Sequence, residues 1–224
     1  VYKRQLEIVV VADPALETAT PGAIAATVAP GDLWGSWRRI AARCDLAWPI
    51  APETGGLLEE VVRVMAAAGS GVLGSRGGAI AIARSKAATA AWLGAHGVPV
   101  VPTVRLDETL PAATAGWVIK PDDGAGTVDT MLAADREALA RWRERRDGTR
   151  FVAQPYLAGA ALSLSMLAQD GKAWLLSCNR QDVSIADGVF HYHGGVVGGA
   201  EARRAALAPL AAHIAAILPE LWGY

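Results

Sequence analysis

The sequence predicts an α/β (α+β) fold in two lobes, with a parallel layer first and antiparallel sheet after it. Three observations carry this expectation. Short β-branched runs alternate with amphipathic helical stretches through the first part of the chain. Further on, the turn Asp170-Gly171 joins two alternating runs, a strong hairpin signal. Of the 224 residues, 52% are hydrophobic and 19% charged, which is ample for a packed core.

Taken in order, residues 6–12 (LEIVVVA) form a buried strand by their β-branched content. Residues 33–43 carry Leu33, Trp37, Ile40 and Ala41 at helical spacing, with Arg38, Arg39 and Arg43 opposite. Residues 45–50 read as a strand, since Pro49 and Pro52 oppose a helix. Residues 55–68 (GGLLEEVVRVMAAA) are an amphipathic helix closed by Gly69, and residues 71–74 a short strand. An Ala-rich helix spans 85–97, with Lys86 at its start and Gly97 as its C-cap. The prolines of GVPVVPT (97–103) then force an extended path. A strand at 117–120 runs into PDDGAGT, and 135–146 is a helix. Residues 151–154, 161–169 and 172–178 are successive strands, and 200–218 is a last helix. Domain boundaries follow at 1–84 for the first lobe and 85–224 for the second.

Composition excludes several roles. A net charge of −1 leaves no electrostatic footprint for nucleic acid or an anionic membrane. The basic run at 141–146 (RWRERR) alternates with Trp142 and Glu144 and reads as a solvated helix face. Cys44 and Cys178 give neither metal spacing nor a disulfide framework, and they suit a reducing cytoplasm. His191 and His193, at i and i+2, share one face of a strand and lack a third ligand, so no metal site is read there. No apolar run approaches the roughly 20 residues of a membrane helix, and 6–12 is too short for a signal sequence. The expectation is a soluble cytoplasmic protein with no nucleic-acid or membrane partner. The chain opens on Val1, its first five residues read as foreign, and it stops at Tyr224 straight after a helical stretch. It is expected to be a fragment.

The segment richest in chemistry is WVIKPDDGAGT, 117–127. A strand delivers Lys120 at its end, and a glycine-containing loop follows at once. Gly124 and Gly126 bracket Ala125, so the backbone can turn tightly and approach a ligand. Amide N–H groups in such a turn form an anion-binding concavity, and Lys120 adds positive charge. The pair suits a polyphosphate. No GK[ST] ending follows, so this is not a Walker loop. No strand–GxGxxG–helix order is present either, which argues against a dinucleotide fold and sets a redox protein low. A glycine hairpin tip with a chance lysine remains the plain alternative.

The neighbours favour the phosphate loop. Ser85-Lys86 opens a helix that leads through Leu93, Gly97, Val98 and Pro99 to Pro102, and Gln154-Pro155-Tyr156-Leu157 ends a later strand before Gly159. This order over roughly 70–200 resembles the ATP-grasp superfamily, whose motifs run DKxxxxxxLxxxGIPxP, VxKPxxGxGS and QEyixG. The resemblance implies an ATP-grasp fold, here C-terminally incomplete, and a carboxylate–amine ligase using ATP and Mg²⁺. Lys86 and Lys120 would contact ATP phosphates, with Gly124, Ala125 and Gly126 as the loop closing over them. Gln154, Pro155, Tyr156 and Leu157 would form the adenine hinge, with backbone groups at its edge and Leu157 against its face. Taken alone, Lys86 is an exposed helix-start lysine and Leu157 ordinary core.

Two departures stand out. The glutamate that holds ribose in the family is replaced by Ala161. The family's magnesium ligands, an aspartate and a Glu-x-Asn motif, find no match after Ala200. They are expected beyond the end of this chain, which would leave the fragment inactive. Asn179-Arg180-Gln181 reads as a strand end. Arg180 is the candidate catalytic residue, for stabilising the transferring phosphoryl or the acyl phosphate, against a surface ion pair with Asp182 or Asp187. Asn179 and Glu53 are candidates for small-molecule carboxylate and amine substrates, although Glu53 alone reads as surface. The NRQ and Tyr-x-Gly-Gly pattern, the Gln-Pro hinge and IAPETGG (50–56) resemble the tyramine–glutamate ligase group of methanofuran biosynthesis. That branch implies glutamate as acyl donor and tyramine as acceptor. A homodimer is compatible with all of this. The rival is a non-catalytic nucleotide-binding or regulatory module.

Overall fold

A computed structural model describes residues 6–12, 21–144 and 148–223. The opening residues 1–5 read above as foreign, Arg145 and Arg146 of the basic run, and Tyr224 lie outside the described residues. The chain divides into two compact units: Val1–Ile50 with Glu60–Leu73, and Ala51–Glu59 with Gly74–Tyr224.

The first unit is the parallel layer. Strand β1 (Val9–Ala12) pairs parallel with β2 (Ile24–Thr27), Val9 facing Ile24. Helix α1 (Leu33–Ala41) begins where the Asp32 carboxylate accepts the Gly35 N–H at 3.0 Å, satisfying one of its free donors. Strand β3 (Leu46–Ala47) pairs parallel with β4 (Gly71–Val72). It is shorter than the run 45–50 suggested, since Pro49 has no N–H to extend a ladder. Helix α2 (Leu57–Ala67) buries Val61, Val62 and Val64 along one stripe; its first turn counts with the second unit.

The second unit holds one seven-stranded sheet, paired antiparallel throughout. Its strands are β5 (Val104–Arg105), β6 (Trp117–Pro121), β7 (Met131–Ala133), β8 (Phe151–Pro155), β9 (Leu162–Gln169), β10 (Lys172–Ala186) and β11 (Val189–Val196), in the order β5-β8-β6-β7-β11-β10-β9. The Asp170-Gly171 hairpin is present, with φ of 50° and 73° at its two residues. A second Asp-Gly pair, Asp187-Gly188, turns the chain in the same left-handed conformation between β10 and β11. It carries the same local hairpin signal as Asp170-Gly171. As a result β10 continues through Asn179-Arg180-Gln181, which was expected to be a strand end and is mid-strand.

Among the described residues, the α-helices wholly within this unit are α3 (Gly77–Ala83), α4 (Lys86–Ala95), α5 (Arg136–Arg143) and α6 (Arg204–Ile217). The α3 stretch, GGAIAIA, was not foreseen as a helix, because its paired glycines weigh against one. Helix α5 starts on the Asp135 carboxylate, which accepts the Ala138 N–H at 2.7 Å. Its Leu139 joins Leu106, Trp117, Ile119, Ala133, Phe151 and Ala153 in one buried cluster. Ile119, Met131 and Val189 stand in register across β6, β7 and β11, and Met131 packs on this cluster. Strand alternation therefore turns Val118, Lys120 and Phe190 to the opposite face of the sheet. That face carries the candidate site.

Candidate functional site

Lys120 is half-buried on β6, one residue before the strand ends and the glycine loop begins. Its ammonium makes no hydrogen bond or ion pair with any described residue. Burial pushes its pKa below the ordinary lysine value, and the positive charge of Lys86 pushes it the same way. A desolvated cation held beside a second cation, with no anion of its own, is prepared for an anionic ligand. The structure thus brings the two lysines into one electrostatic neighbourhood.

Lys86 is placed differently from the sequence reading. Its ammonium donates to three main-chain carbonyls of the loop: Pro121 O at 2.8 Å, Asp122 O at 3.2 Å and Gly124 O at 2.8 Å. Its backbone N–H donates to Asp122 O at 3.0 Å. All three ammonium protons serve the loop in the ligand-free protein. Burial lowers its pKa, while the carboxylates of Asp122, Asp123 and Glu53 act in the opposite direction.

The start of α4 explains the placement. Ser85 is its N-cap, the hydroxyl accepting from the Ala88 N–H at 3.0 Å and donating to Asp122 Oδ2 at 2.8 Å. The other oxygen of Asp122 accepts the Ala87 N–H at 2.9 Å. Asp122 so acts as a second cap supplied from outside the helix, a long-range role that no local pattern announces. Asp123 reaches the other way, its Oδ2 accepting the Gly55 N–H at 3.3 Å from the short turn Thr54–Gly56. Glu53, at the start of that turn, is exposed and close enough to Lys86 to influence its charge.

The loop itself runs from Asp122 to Thr130. Gly124 and Gly126 have φ of 129° and 68°, in the left-handed region that glycine tolerates, and Ala125 between them is exposed. A side chain at Gly126 would meet nothing within 4 Å, so the backbone there faces open space.

The hinge segment 154–157 leaves β8 on the same side. The Gln154 amide donates to Thr103 Oγ1 at 2.7 Å, and the Tyr156 N–H donates to Gly116 O at 2.9 Å. The Tyr156 N–H is thus taken up by the neighbouring segment before β6. Pro155 has no N–H, and Leu157, 67% exposed, has no acceptor for its N–H among the described residues. The Tyr156 ring lies 6.5 Å from that of Phe190 in an edge arrangement. Phe190 went unread in the sequence. Its position, one residue past the Val189 that opens β11, was the available signal.

Two further expectations are corrected. Cys178 is fully buried, and by alternation Arg180 shares its face of β10, whereas Gln181 faces the Lys120 side. Arg180 is consequently turned away from Lys120, and it makes no ion pair with Asp182, Asp187 or any other described residue. Asn179 spends its amide internally, donating to Ser165 Oγ at 3.0 Å and accepting the Gly198 N–H at 3.1 Å. It fastens the turn after β11. His191 and His193 stack at 6.4 Å on one strand face, with His193 Nε2 2.8 Å from Ser184 Oγ. Among the described residues there is no group of three metal-ligating side chains, and no helix long and apolar enough to cross a membrane.

Comparison with known proteins adds the family context. A model of the pre ATP-grasp 3 domain matches residues 6–80, and a model of the ATP-grasp domain matches residues 83–224. The chain is similar in fold to an ATP-grasp superfamily protein from Archaeoglobus fulgidus, at 22% identity and a TM-score of 0.68, over 95% of this chain and 60% of that one. It is similar to an L-amino acid ligase from Bacillus licheniformis, at 17% identity and a TM-score of 0.64, over 96% and 55%. It is also similar to N5-carboxyaminoimidazole synthetase from Staphylococcus aureus complexed with ADP, at 13% identity and a TM-score of 0.69, over 96% and 57%. The chain thus spans between 55% and 60% of the length of these three structures. No curated protein matches it.

Proposed function

Because this chain belongs to the ATP-grasp family, we propose that it is the nucleotide-binding part of an ATP-dependent ligase joining a carboxylate to an amine. The observation that carries the reading is Lys120: a half-buried ammonium without an anionic partner among the described residues, at the mouth of a glycine loop. A triphosphate supplies the missing anion. Loop amides and Lys120 would offset its charge, Tyr156, Phe190 and Leu157 would bracket the purine, and Glu53 would meet an ammonium group of a substrate. That structural neighbours include an amino acid ligase and a synthetase complexed with ADP supports the same class.

The chemistry has two balanced steps. A substrate carboxylate oxygen attacks the γ-phosphorus of ATP, and ADP leaves with the bonding pair, giving an acyl phosphate. A neutral amine nitrogen then attacks the acyl carbon, phosphate leaves, and the nitrogen loses a proton as the amide forms. Such transfer depends on positioning and charge more than on covalent help from the protein. Among the described residues there is no group of three metal-ligating side chains; Mg²⁺, when bound beside the phosphates, would neutralise charge on the transferring phosphoryl group. Within this class we take glutamate as acyl donor and tyramine as acceptor, on the likeness of NRQ, the Gln-Pro hinge and IAPETGG to that branch.

Full-length protein given ATP, magnesium, glutamate and tyramine should release ADP only when both substrates are present. ADP release with neither, or with any amino acid pair, rejects the substrate assignment. Tight ATP binding with no turnover on any carboxylate and amine instead favours a non-catalytic module.

The pH dependence of nucleotide binding follows from Lys120. Its pKa is depressed in the free protein, and a bound polyphosphate would raise it. Affinity should be flat below the free-state pKa and fall as pH rises from there toward the ordinary lysine value of about 10.4. Proton uptake on binding, read by calorimetry in buffers of different ionisation enthalpy, should appear in that window. Its absence there would show that Lys120 meets no phosphate.

A further inference from the structure

The seven-stranded sheet has one thin joint. Strands β5, β8, β6 and β7 make one half and β11, β10 and β9 the other, and the halves meet only where β7 pairs with β11. That ladder has a single register pair, Met131 with Val189. The Leu132 N–H to Gly188 O at 2.7 Å and the Phe190 N–H to Thr130 O at 3.1 Å flank it. Every other described ladder of the sheet has two or more register pairs. A joint with so few bonds is where such a sheet opens first.

A groove of about 620 Å³ lies along this joint, on the face that carries the buried cluster and away from Lys120. Met131 and Val189 of the joint line it, together with Ala138 and Trp142 of α5. These apolar groups are not covered, and Val189 is 45% exposed. Two charged side chains also line the groove. Arg141 is answered by Glu137 at 2.8 Å. The Asp187 carboxylate has no hydrogen bond or ion pair with any described residue. An apolar space of this size with a few polar groups at its edge is the usual form of a small-molecule site.

We propose that this groove binds a small organic ammonium ion with an apolar body and that its occupant braces the β7–β11 joint. The body lies on Met131, Val189 and Trp142, and the ammonium meets Asp187. An anion would face the unanswered carboxylate and would have to draw Arg141 away from Glu137, so the charge of the site selects a cation. Because the ligand touches β7, β11 and α5 at once, it must leave before the two halves of the sheet can part. The site is separate from the candidate nucleotide site and does not depend on the ligase reading. Phe190 links the two faces. Its N–H belongs to the joint, and its ring lies against Tyr156 of the hinge. Bracing from behind thus steadies one wall of the candidate site in front.

The chain has three methionines, Met65, Met131 and Met166, so methyl-labelled methionine gives a simple NMR readout of the full chain. Phenethylammonium chloride should shift the Met131 methyl, assigned through Met131→Leu, with half-saturation at about 1 mM or below. Met65 and Met166 should stay in place. Asp187→Asn keeps the left-handed turn, which asparagine favours, and should raise the half-saturation about two- to fivefold. The carboxylate 3-phenylpropionate, with the same apolar body, should bind about tenfold more weakly than the amine. With the amine at about ten times half-saturation, hydrogen exchange of the Leu132 and Phe190 amides should slow about tenfold, since the occupied joint opens that much less often. A Met131 methyl that does not move overturns the proposal, and amine bound only on the Lys120 face gives that result. Equal affinity for the carboxylate, or unchanged affinity in Asp187→Asn, overturns the assignment of an ammonium ligand. Unaltered exchange under saturating amine overturns the brace.

Discussion

Replacing Lys120 with methionine should weaken ATP binding by about 5- to 150-fold, about 1–3 kcal/mol, while leaving the free protein at least as stable as before. The two signs come from one cause. In the free protein the ammonium is desolvated, lies within the field of Lys86 and has no described acceptor, so its charge is a cost to folding. In the complex the same charge meets phosphate oxygens in a partly dry site, where charge-assisted contacts are strong. Methionine keeps the length and apolar bulk of the stem and removes only the charge. The folded pKa lies below the unfolded one, so wild-type stability should rise with pH across the window between them, and the variant should lose that slope. Thermal denaturation across pH and isothermal titration with ATP measure both. Unchanged affinity would mean that the loop has been assigned to the wrong ligand.

The second large effect concerns Gly116, which precedes β6 with φ of 85°. A Cβ there would lie 2.2 Å from Ala133 O and 2.8 Å from Ala134 Cα. Gly116→Ala combines left-handed strain with a backbone clash that no side-chain rotation can relieve, and should cost about 2–5 kcal/mol of stability. Gly126→Ala is the matched control: φ is 68° but nothing stands within 4 Å, so only the conformational cost of about 1–2 kcal/mol remains. The Gly116 carbonyl also accepts the Tyr156 N–H at 2.9 Å. Any folded Gly116→Ala protein should therefore bind nucleotide more weakly, through displacement of the hinge. Denaturant melts of the two variants decide it, and equal midpoints would show that the β6–β7 approach is looser than described.

What could be read from the sequence followed from local physics. Valine runs, helical stripes, prolines and one Asp-Gly turn each act within a few residues, and they placed β1, β3, β4, α1, α2, α4, α5 and the first hairpin near their observed positions, while β2 was not read. Lys120 and the glycine loop were legible for the same reason, since a strand-end lysine followed by two close glycines is a local statement. The order of three motifs then indicated the family. What the sequence did not show has a common origin. Lys86 could be seen to open a helix, but its partners lie on a strand and loop far along the chain, and only folding makes Pro121, Asp122 and Gly124 its acceptors. Arg180 had suitable chemistry, yet the face of β10 it occupies depends on register with β9 and β11, and the partners of Asn179, Ser165 and Gly198, are brought to it only by the fold.

The sequence by itself determined an α/β chain with a glycine loop and a lysine at the strand before it, because periodicity and turn chemistry are encoded residue by residue; the order of three motifs added the resemblance to the ATP-grasp family. Only the tertiary structure decided which polar groups are left free to act. Lys120 keeps its charge unanswered, whereas Lys86 and Asn179 are consumed by hydrogen bonds, and Arg180 is turned to the other face. A side chain's availability is what remains after all its neighbours have been satisfied, and those neighbours are chosen by the fold.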